Sequence, residues 1–446
     1  MSATNRMHMA NSFDPHHIAG IAESDAELIR RRSTSMGAAY RLFYRKPIHI
    51  VRGEGVLLYD ADGNEYLDAY NNVPVVGHSN PVVKSRVAQQ LGTLNTHTRY
   101  LSENVVNYAD RLTGLFPDPL TQAIFVCTGS EAVDLSLRIA RHVTGRSGVL
   151  ATGYAYHGTT QAAAEISPSL GPNNPIPEEV VLVQAPDLTR DQPAAAAEKF
   201  AAAVREGVAK LRAGGFEPAA LIVDSILSSD GLQGTAPQLL KAACDEIHKA
   251  GGLYIADEVQ AGFGRTGNWW GFPAHGCEPD LVVLGKPMGN GLPIAAVVGR
   301  EEIFEPFGRD LRYFNTFGGN PVSIAAADAV LDELTDRDLV ARAASTGAHT
   351  LEGLRELSQN YEQLAATRGL GLFFALEIHD SAGLPSPALA SEIVNVMREQ
   401  ERVLISASGP AANVLKIRPP LVFENHHANR FLDAMSRSLS KVLGDA

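Results

Sequence analysis

The chain has 446 residues, which is too long for one compact core, so two or three packed units are expected. Apolar residues make up 45% and charged residues 20%, an ordinary globular composition that excludes a disordered chain. The formal net charge is −12 and no block of lysine and arginine interrupts the acidic balance, which argues against nucleic acid and anionic membranes as partners.

The first 35 residues show no clear periodicity and are expected to form an arm lying on the body or on a partner chain. They contain no apolar stretch of the signal-peptide type, and no run elsewhere approaches the roughly 18–20 apolar residues of a membrane span. The three cysteines, Cys127, Cys244 and Cys277, are widely spaced and form no CxxC pair. We therefore expect no disulfide, no metal site, and a reducing, cytoplasmic location.

Residues 48–67 alternate apolar and polar side chains around Asp62-Gly63, a pattern that predicts a β-hairpin. Farther along, short apolar runs alternate with helical stretches such as 194–213 and 237–250. This alternation is typical of an α/β protein with a mostly parallel sheet between helices. The predicted buried strands are 123–127, 148–152, 180–185, 220–225, 252–257 and 281–286.

After about residue 330 the pattern changes to one typical of a smaller α+β domain. The predicted elements there are a helix over 329–357, a strand over 372–378, a helix over 388–401, a strand over 415–420 and a helix over 427–443. The predicted division is therefore an arm and hairpin belonging to the small domain (1–70), a large domain (71–329) and the rest of the small domain (330–446).

In an open α/β sheet, ligands bind at the carboxyl ends of the strands. One such end is Thr128-Gly129-Ser130, where a strand becomes a helix, and free N–H groups at a helix N-terminus form a phosphate site. The alternative is an ordinary helix cap. Tyr156-His157-Gly158 follows another strand and supplies an aromatic ring.

Two further strand ends carry Asp257 and Lys286. A buried carboxylate requires a cationic or N–H partner, and burial lowers the pKa of a lysine toward a nucleophilic amine. The alternatives are a carboxylate that caps a turn and a lysine that reaches the surface. A phosphate cradle, an aromatic ring, a carboxylate and an amine together are the contacts that pyridoxal 5′-phosphate requires. Asp257 would keep its ring nitrogen protonated, while Lys286 would form the Schiff base and then act as the base at the substrate Cα.

Two possible nucleotide-binding motifs are rejected because the residues around them do not fit. Residues 262–267 match GxGxxG, but no helical pattern follows and no acidic residue stands about 20 residues beyond, so this stretch is interpreted as a glycine-shaped loop. Lys286 is followed by Pro287, not by Ser or Thr, so no Walker motif is present.

The chain resembles the class-III pyridoxal-phosphate aminotransferases of fold type I over nearly its whole length. The matching stretches are CTGSEAVD (127–134), YHG (156–158), ADEVQAGFGRTG (256–267), LGKPMGNGLP (284–293), FNTFGGNP (314–321) and RGLGL (368–372). The resemblance implies a homodimer with shared active sites, with a tetramer as the alternative. It implies catalytic roles for Lys286 and Asp257 and cofactor-binding roles for Thr128, Gly129, Ser130, Tyr156, His157, Asp257, Val259, Gln260, Lys286 and, reaching into the other subunit, Thr316.

Within the family, the chain is most similar to the phospho-lyase branch, in the stretches 70–81, 95–106, 403–410 and 414–423. Many class-III aminotransferases hold the substrate α-carboxylate with an arginine at the position where this chain has Lys416. A lysine lacks the planar fork that suits a carboxylate, which weakens the case for an α-amino-acid substrate. Asp224-Ser225 also replaces a usual Glu-Pro pair.

The resulting hypothesis is a lyase that eliminates phosphate from O-phosphoethanolamine or a close phosphorylated amine. An ω-aminotransferase using pyruvate or 2-oxoglutarate is the alternative, and a cofactor-binding regulatory domain without catalysis is disfavoured by the negative charge. The candidates for holding the substrate phosphate are Arg99, Tyr100, His78, Asn71, Asn72, Lys416 and Arg418, and several of these could instead serve the dimer interface.

Overall fold

A computed structural model describes residues 11–15, 18 and 20–444. The helices are α1 (Glu23–Met36), α2 (Pro81–Leu91), α3 (Glu103–Thr113), α4 (Gly129–Thr144), α5 (Gln161–Glu165), α6 (Pro193–Ala213), α7 (Lys241–Lys249), α8 (Glu301–Asp310), α9 (Pro321–Asp336), α10 (Leu339–Ser358), α11 (Pro387–Glu399) and α12 (Asn425–Leu443). The strands are β1 (Ile50–Glu54), β2 (Leu57–Asp60), β3 (Glu65–Asp68), β4 (Leu120–Val126), β5 (Gly148–Thr152), β6 (Val180–Val183), β7 (Pro218–Asp224), β8 (Leu253–Asp257), β9 (Leu281–Leu284), β10 (Ala295–Arg300), β11 (Leu364–Leu370), β12 (Phe373–Ile378), β13 (Val403–Leu404), β14 (Ser406–Ser408) and β15 (Val414–Ile417).

A seven-stranded sheet with the order β4-β10-β9-β8-β7-β5-β6 forms the centre of the molecule. The pairs from β9 to β6 are parallel, and β10 alone runs antiparallel to both of its neighbours. Strands β7 and β9 are buried along their whole length, as expected when helices cover both faces of a parallel sheet. The predicted α/β class and mostly parallel sheet are confirmed.

Two four-stranded sheets form the rest of the β-structure, in the orders β1-β2-β3-β13 and β11-β12-β15-β14. The predicted hairpin is present as β2 and β3, which pair antiparallel across the Asp62-Gly63 turn. Strand β13 pairs in parallel with β3, so both ends of the chain contribute to one sheet. The backbone N–H of Arg418 donates to Ala69 O at 2.8 Å, which connects the end of β15 to the segment after β3.

Three elements differ from the sequence-based predictions. Residues 23–36 of the predicted arm form helix α1, whose apolar pattern is weak because it buries only Ala26 and Ile29. The single helix predicted over 329–357 is two helices, because Asp338 adopts a left-handed conformation (φ 50°) between α9 and α10. Strand β10 was not predicted. The first ten residues of the arm lie outside the described part of the chain.

The expectation of no disulfide was wrong. Cys244 on α7 and Cys277 before β9 are both buried and joined by a disulfide, since the fold brings together two positions 33 residues apart. The argument for a reducing compartment therefore loses its main support. Along the described ranges, none of the helices combines the length and apolar character of a membrane-crossing segment.

Candidate active site

The carboxyl ends of three neighbouring strands bring polar residues together. In the parallel register, Asp224 at the end of β7 pairs with Asp257 at the end of β8, which in turn pairs with Val283 on β9. Lys286 follows β9 by two residues and begins a short 3₁₀ turn. The two predicted catalytic residues are therefore on adjacent strands at one edge of the sheet.

Asp257 is buried and bonded on both carboxylate oxygens. One oxygen lies 2.7 Å from His157 Nδ1, and the other accepts from the Val259 N–H at 3.0 Å. The His157 backbone N–H donates to Ser167 Oγ at 2.8 Å, while its Nε2 is buried without a partner among the described residues. The imidazole thus anchors the carboxylate and orients it.

The N-terminus of α4 forms a tightly packed cradle. Thr128 Oγ1 accepts from the Glu131 N–H at 3.1 Å, but the N–H groups of Gly129 and Ser130 have no acceptor in the part of the chain that the structure describes. A Cβ on Gly158, which has a φ of 149°, would lie 2.5 Å from Ser130 Oγ. These conditions suit a phosphate group, which free helix-terminal N–H groups bind.

The walls of the same cradle are also glycine-lined. A Cβ on Gly129 would lie 3.1 Å from Val259 Cγ2, and a Cβ on Gly285 would lie 3.2 Å from Gly129 Cα. Tyr156 is half-buried, and burial raises the pKa of its phenol. The loop of residues 262–267 is irregular, as predicted, with positive φ at Gly264 and Gly267.

The cationic side chains of Lys286, Lys416 and Arg418 cluster near the carboxylates of Asp224 and Asp257. Burial and the positive charge of Arg418 lower the pKa of Lys286 to about 8 and that of Lys416 to about 7, while the charge of Asp224 acts on both in the opposite direction. Neither lysine ammonium has a hydrogen bond or ion pair with any described residue. Two half-buried amines without a hydrogen bond or ion pair, next to a guanidinium, suit an anionic ligand.

Gln260 connects this cluster to the rest of the site. Its Nε2 donates to Ser228 Oγ at 2.5 Å, and its Oε1 accepts from Arg418 Nη1 and from Asn72 Nδ2, the latter at 3.5 Å. Arg418 Nε also donates to Tyr70 O at 3.0 Å. Three of the proposed phosphate-binding residues, Asn72, Lys416 and Arg418, are thus part of the cluster.

Asn71 and His78 belong to a different arrangement, which is centred on Asp68. This fully buried carboxylate accepts from the Asn71 N–H and Nδ2 and lies 2.7 Å from His78 Nε2. Both residues are only partly buried, and these bonds give each of them a structural role at Asp68.

Arg99, Tyr100 and Thr316 lie on an exposed surface. The Arg99 guanidinium lies 3.8 Å from the centre of the Phe314 ring, and Tyr100 stacks on His97 with ring centres 5.0 Å apart. No hydrogen bond or ring contact joins them to Lys286 within the described chain. If these residues contribute to a binding site, it would be the site of a second subunit.

The sequence reasoning missed two buried polar residues. Ser228 holds Gln260 in the site, and Asp68 holds Asn71 and His78 in the separate arrangement beside it. Asp68 ends strand β3, a signal that could have identified it. Ser228 lies in an irregular loop, and its bonds to Asp224 and Gln260 become visible only in three dimensions.

Taken together, the site fits pyridoxal phosphate: helix N–H groups suit the phosphate, Asp257 suits the pyridinium nitrogen, and Lys286 suits the aldehyde. Comparison with known proteins agrees. Residues 42–439 match the model of the family Aminotransferase class-III, and the chain belongs to this family of pyridoxal-phosphate-dependent enzymes.

Its relatives divide between two activities. The chain is 38% identical to "Alanine--glyoxylate aminotransferase 2-like" of Drosophila melanogaster, over 94% of this chain and 88% of the relative. It is 31% identical to "Ethanolamine-phosphate phospho-lyase homolog 1" of Caenorhabditis elegans, over 94% of each. A solved phospholyase from Arthrobacter in complex with phosphoethanolamine is 43% identical, with a TM-score of 0.90 and coverage of 93% of this chain and 99% of the other. The protein is therefore a class-III enzyme that is either a transaminase or a phospho-lyase.

Proposed function

We propose that this protein is a phospho-lyase that eliminates phosphate from O-phosphoethanolamine or a close phosphorylated amine. The observation that carries the proposal is Lys416, which has no hydrogen bond or ion pair among the described residues and lies within the electrostatic influence of Lys286 and of Arg418, the latter held by Gln260 and Tyr70. A phosphate dianion is the ligand that such a cluster would stabilise best. The similarity to the Arthrobacter phospholyase, which was solved with phosphoethanolamine, supports the same substrate class.

In the proposed reaction, pyridoxal phosphate held by the α4 N-terminus, Asp257 and Lys286 would supply an electron sink for the carbon that carries the substrate amine. Lys286, at the strand end next to Asp257, would take the proton from that carbon. The electron pair forms a C–C double bond as the C–O bond to phosphate breaks, and phosphate departs with the bonding pair. Lys416 and Arg418 would orient the departing group and stabilise its charge. Addition of water then yields an aldehyde and ammonia.

The product test uses the cofactor-loaded enzyme with O-phosphoethanolamine and no oxo acid. We expect inorganic phosphate and acetaldehyde in equal amounts, with no product from Lys286→Ala. Lack of phosphate release, together with alanine or glutamate formation once pyruvate or 2-oxoglutarate is supplied, would contradict the proposal.

An ω-aminotransferase is the second candidate. The 38% identity to the Drosophila aminotransferase-like protein favours it, and Arg418 is a guanidinium that could bind the carboxylate of an oxo acid. The cofactor contacts described above serve both reactions equally. The two candidates differ in the fate of the substrate: a lyase eliminates phosphate without an acceptor, and an aminotransferase passes the amino group to an oxo acid.

We also propose that two copies share their active sites. Thr316 is exposed and is followed by Phe317, which is 70% exposed. Tyr100 and Leu101 are also exposed, and Tyr100 stacks on His97, which contacts Phe314. Large apolar side chains at a surface are typical of an interface. In such a dimer Thr316 would reach the cofactor phosphate of the partner, and Arg99 could approach the partner's substrate.

A further inference from the structure

A continuous line of hydrogen bonds runs beside the cationic cluster. Ser228 Oγ donates to Asp224 Oδ2 at 2.5 Å and accepts from Gln260 Nε2, also at 2.5 Å. Gln260 in turn accepts from Arg418. The Ser228 hydroxyl is therefore the link between a carboxylate and the amide that holds a guanidinium.

The carboxylate of Asp224 is turned into its own loop. Oδ1 accepts from the Ile226 N–H at 3.1 Å, and Oδ2 accepts from both the N–H and the hydroxyl of Ser228. Although the negative charge of Asp224 acts on both Lys286 and Lys416, it pairs with neither. Asp224 thus offsets part of the positive charge of Lys286 and Lys416 without forming an ion pair with either lysine.

The loop has further support that does not depend on the hydroxyl. The Leu227 N–H donates to Asp224 O at 2.9 Å, and Leu227 keeps a φ of 52°, which is unfavourable for leucine and is maintained only by surrounding contacts. The Ser228 N–H also remains bonded to Asp224. Replacing serine with alanine should therefore remove one hydroxyl and leave the loop in place.

We propose that Ser228 is a positioning residue that sets the specificity for a doubly charged anionic substrate group, because it keeps Asp224 turned away from Lys416. This inference rests on the proposed function. Without the hydroxyl, Asp224 Oδ2 loses its shortest bond and keeps only the Ser228 N–H, so the carboxylate is held less firmly and can turn toward Lys416; that pairing would offset the charge that attracts the anion. Gln260 would also lose one of the contacts that orient it.

The test measures binding of two probes to the cofactor-loaded enzyme, from the immediate change in cofactor absorbance on mixing. 2-Aminoethylphosphonate carries the anionic group, and propylamine is similar in size but lacks it. In Ser228→Ala we expect about tenfold weaker binding of the phosphonate and less than about a twofold change for propylamine. Ser228→Thr, which keeps a hydroxyl, and Ser229→Ala, which changes a neighbouring serine without hydrogen bonds in the described chain, should bind like wild type.

A double variant tests whether pairing of Asp224 with Lys416 causes the weaker binding. In Ser228→Ala/Asp224→Asn, no carboxylate remains to pair with Lys416, so binding of the phosphonate should recover. Failure to recover, equal losses for both probes in Ser228→Ala, or unchanged phosphonate binding in that variant would each overturn the role of Ser228.

Lys416→Met separates this inference from the proposed function. If wild type prefers the phosphonate and Lys416→Met loses that preference while Ser228→Ala keeps it, only the role of Ser228 is overturned. If wild type binds both probes equally, there is no anion-binding site, and both proposals fail.

Discussion

At the scale of single residues, the site depends on two half-buried lysines whose amino groups have no hydrogen bond or ion pair in the described chain. Lys286 was predictable because lysine seldom ends a buried strand without a functional reason. The placement of Lys416 beside it required the fold, since the two residues lie 130 positions apart and on different sheets. Ser228 was not predictable at all, because a serine in an irregular loop has no pattern to distinguish it.

The lowered pKa of Lys416 predicts a specific dependence of stability on pH. Its folded-state pKa is about 7 against an ordinary 10.5, so the unfolded chain binds the proton more tightly. The charged amine therefore destabilises the fold below pH 7, and this penalty is lost as the pH rises from 7 to 10.5. The pKa difference corresponds to roughly 5 kcal/mol, but Lys416 is only half-buried and solvent screens its charge, so we expect Lys416→Met to stabilise the cofactor-free protein at pH 7 by about 1–2 kcal/mol.

The measurement is urea unfolding at pH 7 and at pH 10.5, in buffer without phosphate. The gain should shrink toward zero at the higher pH. Lys84→Met, at an exposed lysine, should show no gain at either pH. Equal stability of wild type and Lys416→Met at pH 7 would refute the burial of an unpaired charge.

At the scale of elements, the parallel strands were predictable and their exceptions were not. Strands buried on both faces appear as continuous apolar runs, and β5, β7 and β8 have this character. Strand β10 follows the glycine-rich stretch after Lys286, and its antiparallel direction is decided by tertiary pairing. Helix α1 buries too few residues to produce a clear helical period.

The cradle at the start of α4 predicts that a single methyl group will weaken cofactor binding. Gly158→Ala would place a Cβ 2.5 Å from Ser130 Oγ and displace the segment that faces the free N–H groups. We expect at least about a tenfold loss of pyridoxal phosphate affinity, measured by titrating the cofactor-free protein. Gly308→Ala on α8, where a Cβ meets nothing within 4 Å, should bind normally, and an unaffected Gly158→Ala would argue against this cradle.

The disulfide between Cys244 on α7 and Cys277 before β9 predicts the number of reactive thiols. After denaturation without reductant, an alkylating reagent should modify one cysteine, Cys127, and after reduction it should modify all three. Mass spectrometry of the alkylated chain gives the count directly. Three modified cysteines before reduction would show that Cys244 and Cys277 are not bonded. Sequence spacing could not reveal this pair, because the geometry that joins it is created by the fold.

At the scale of the whole molecule, the exposed surface around Phe317 predicts a dimer. Light scattering of the wild type should give about twice the mass of one chain. Phe317→Asp would place a charge at the centre of an apolar contact and should shift the protein toward monomer with reduced cofactor occupancy. A monomeric wild type that retains full activity would contradict the shared active site.

The central claim is that the enzyme releases phosphate from the substrate, together with an aldehyde and ammonia, without any amino acceptor. The most direct measurement is the amount of O-phosphoethanolamine consumed per active site by the cofactor-loaded enzyme when no oxo acid is present. A lyase needs no acceptor, so we predict many turnovers with one phosphate released for each. Consumption that stops at or below one equivalent per active site, with no free phosphate, would contradict the account and identify a transaminase.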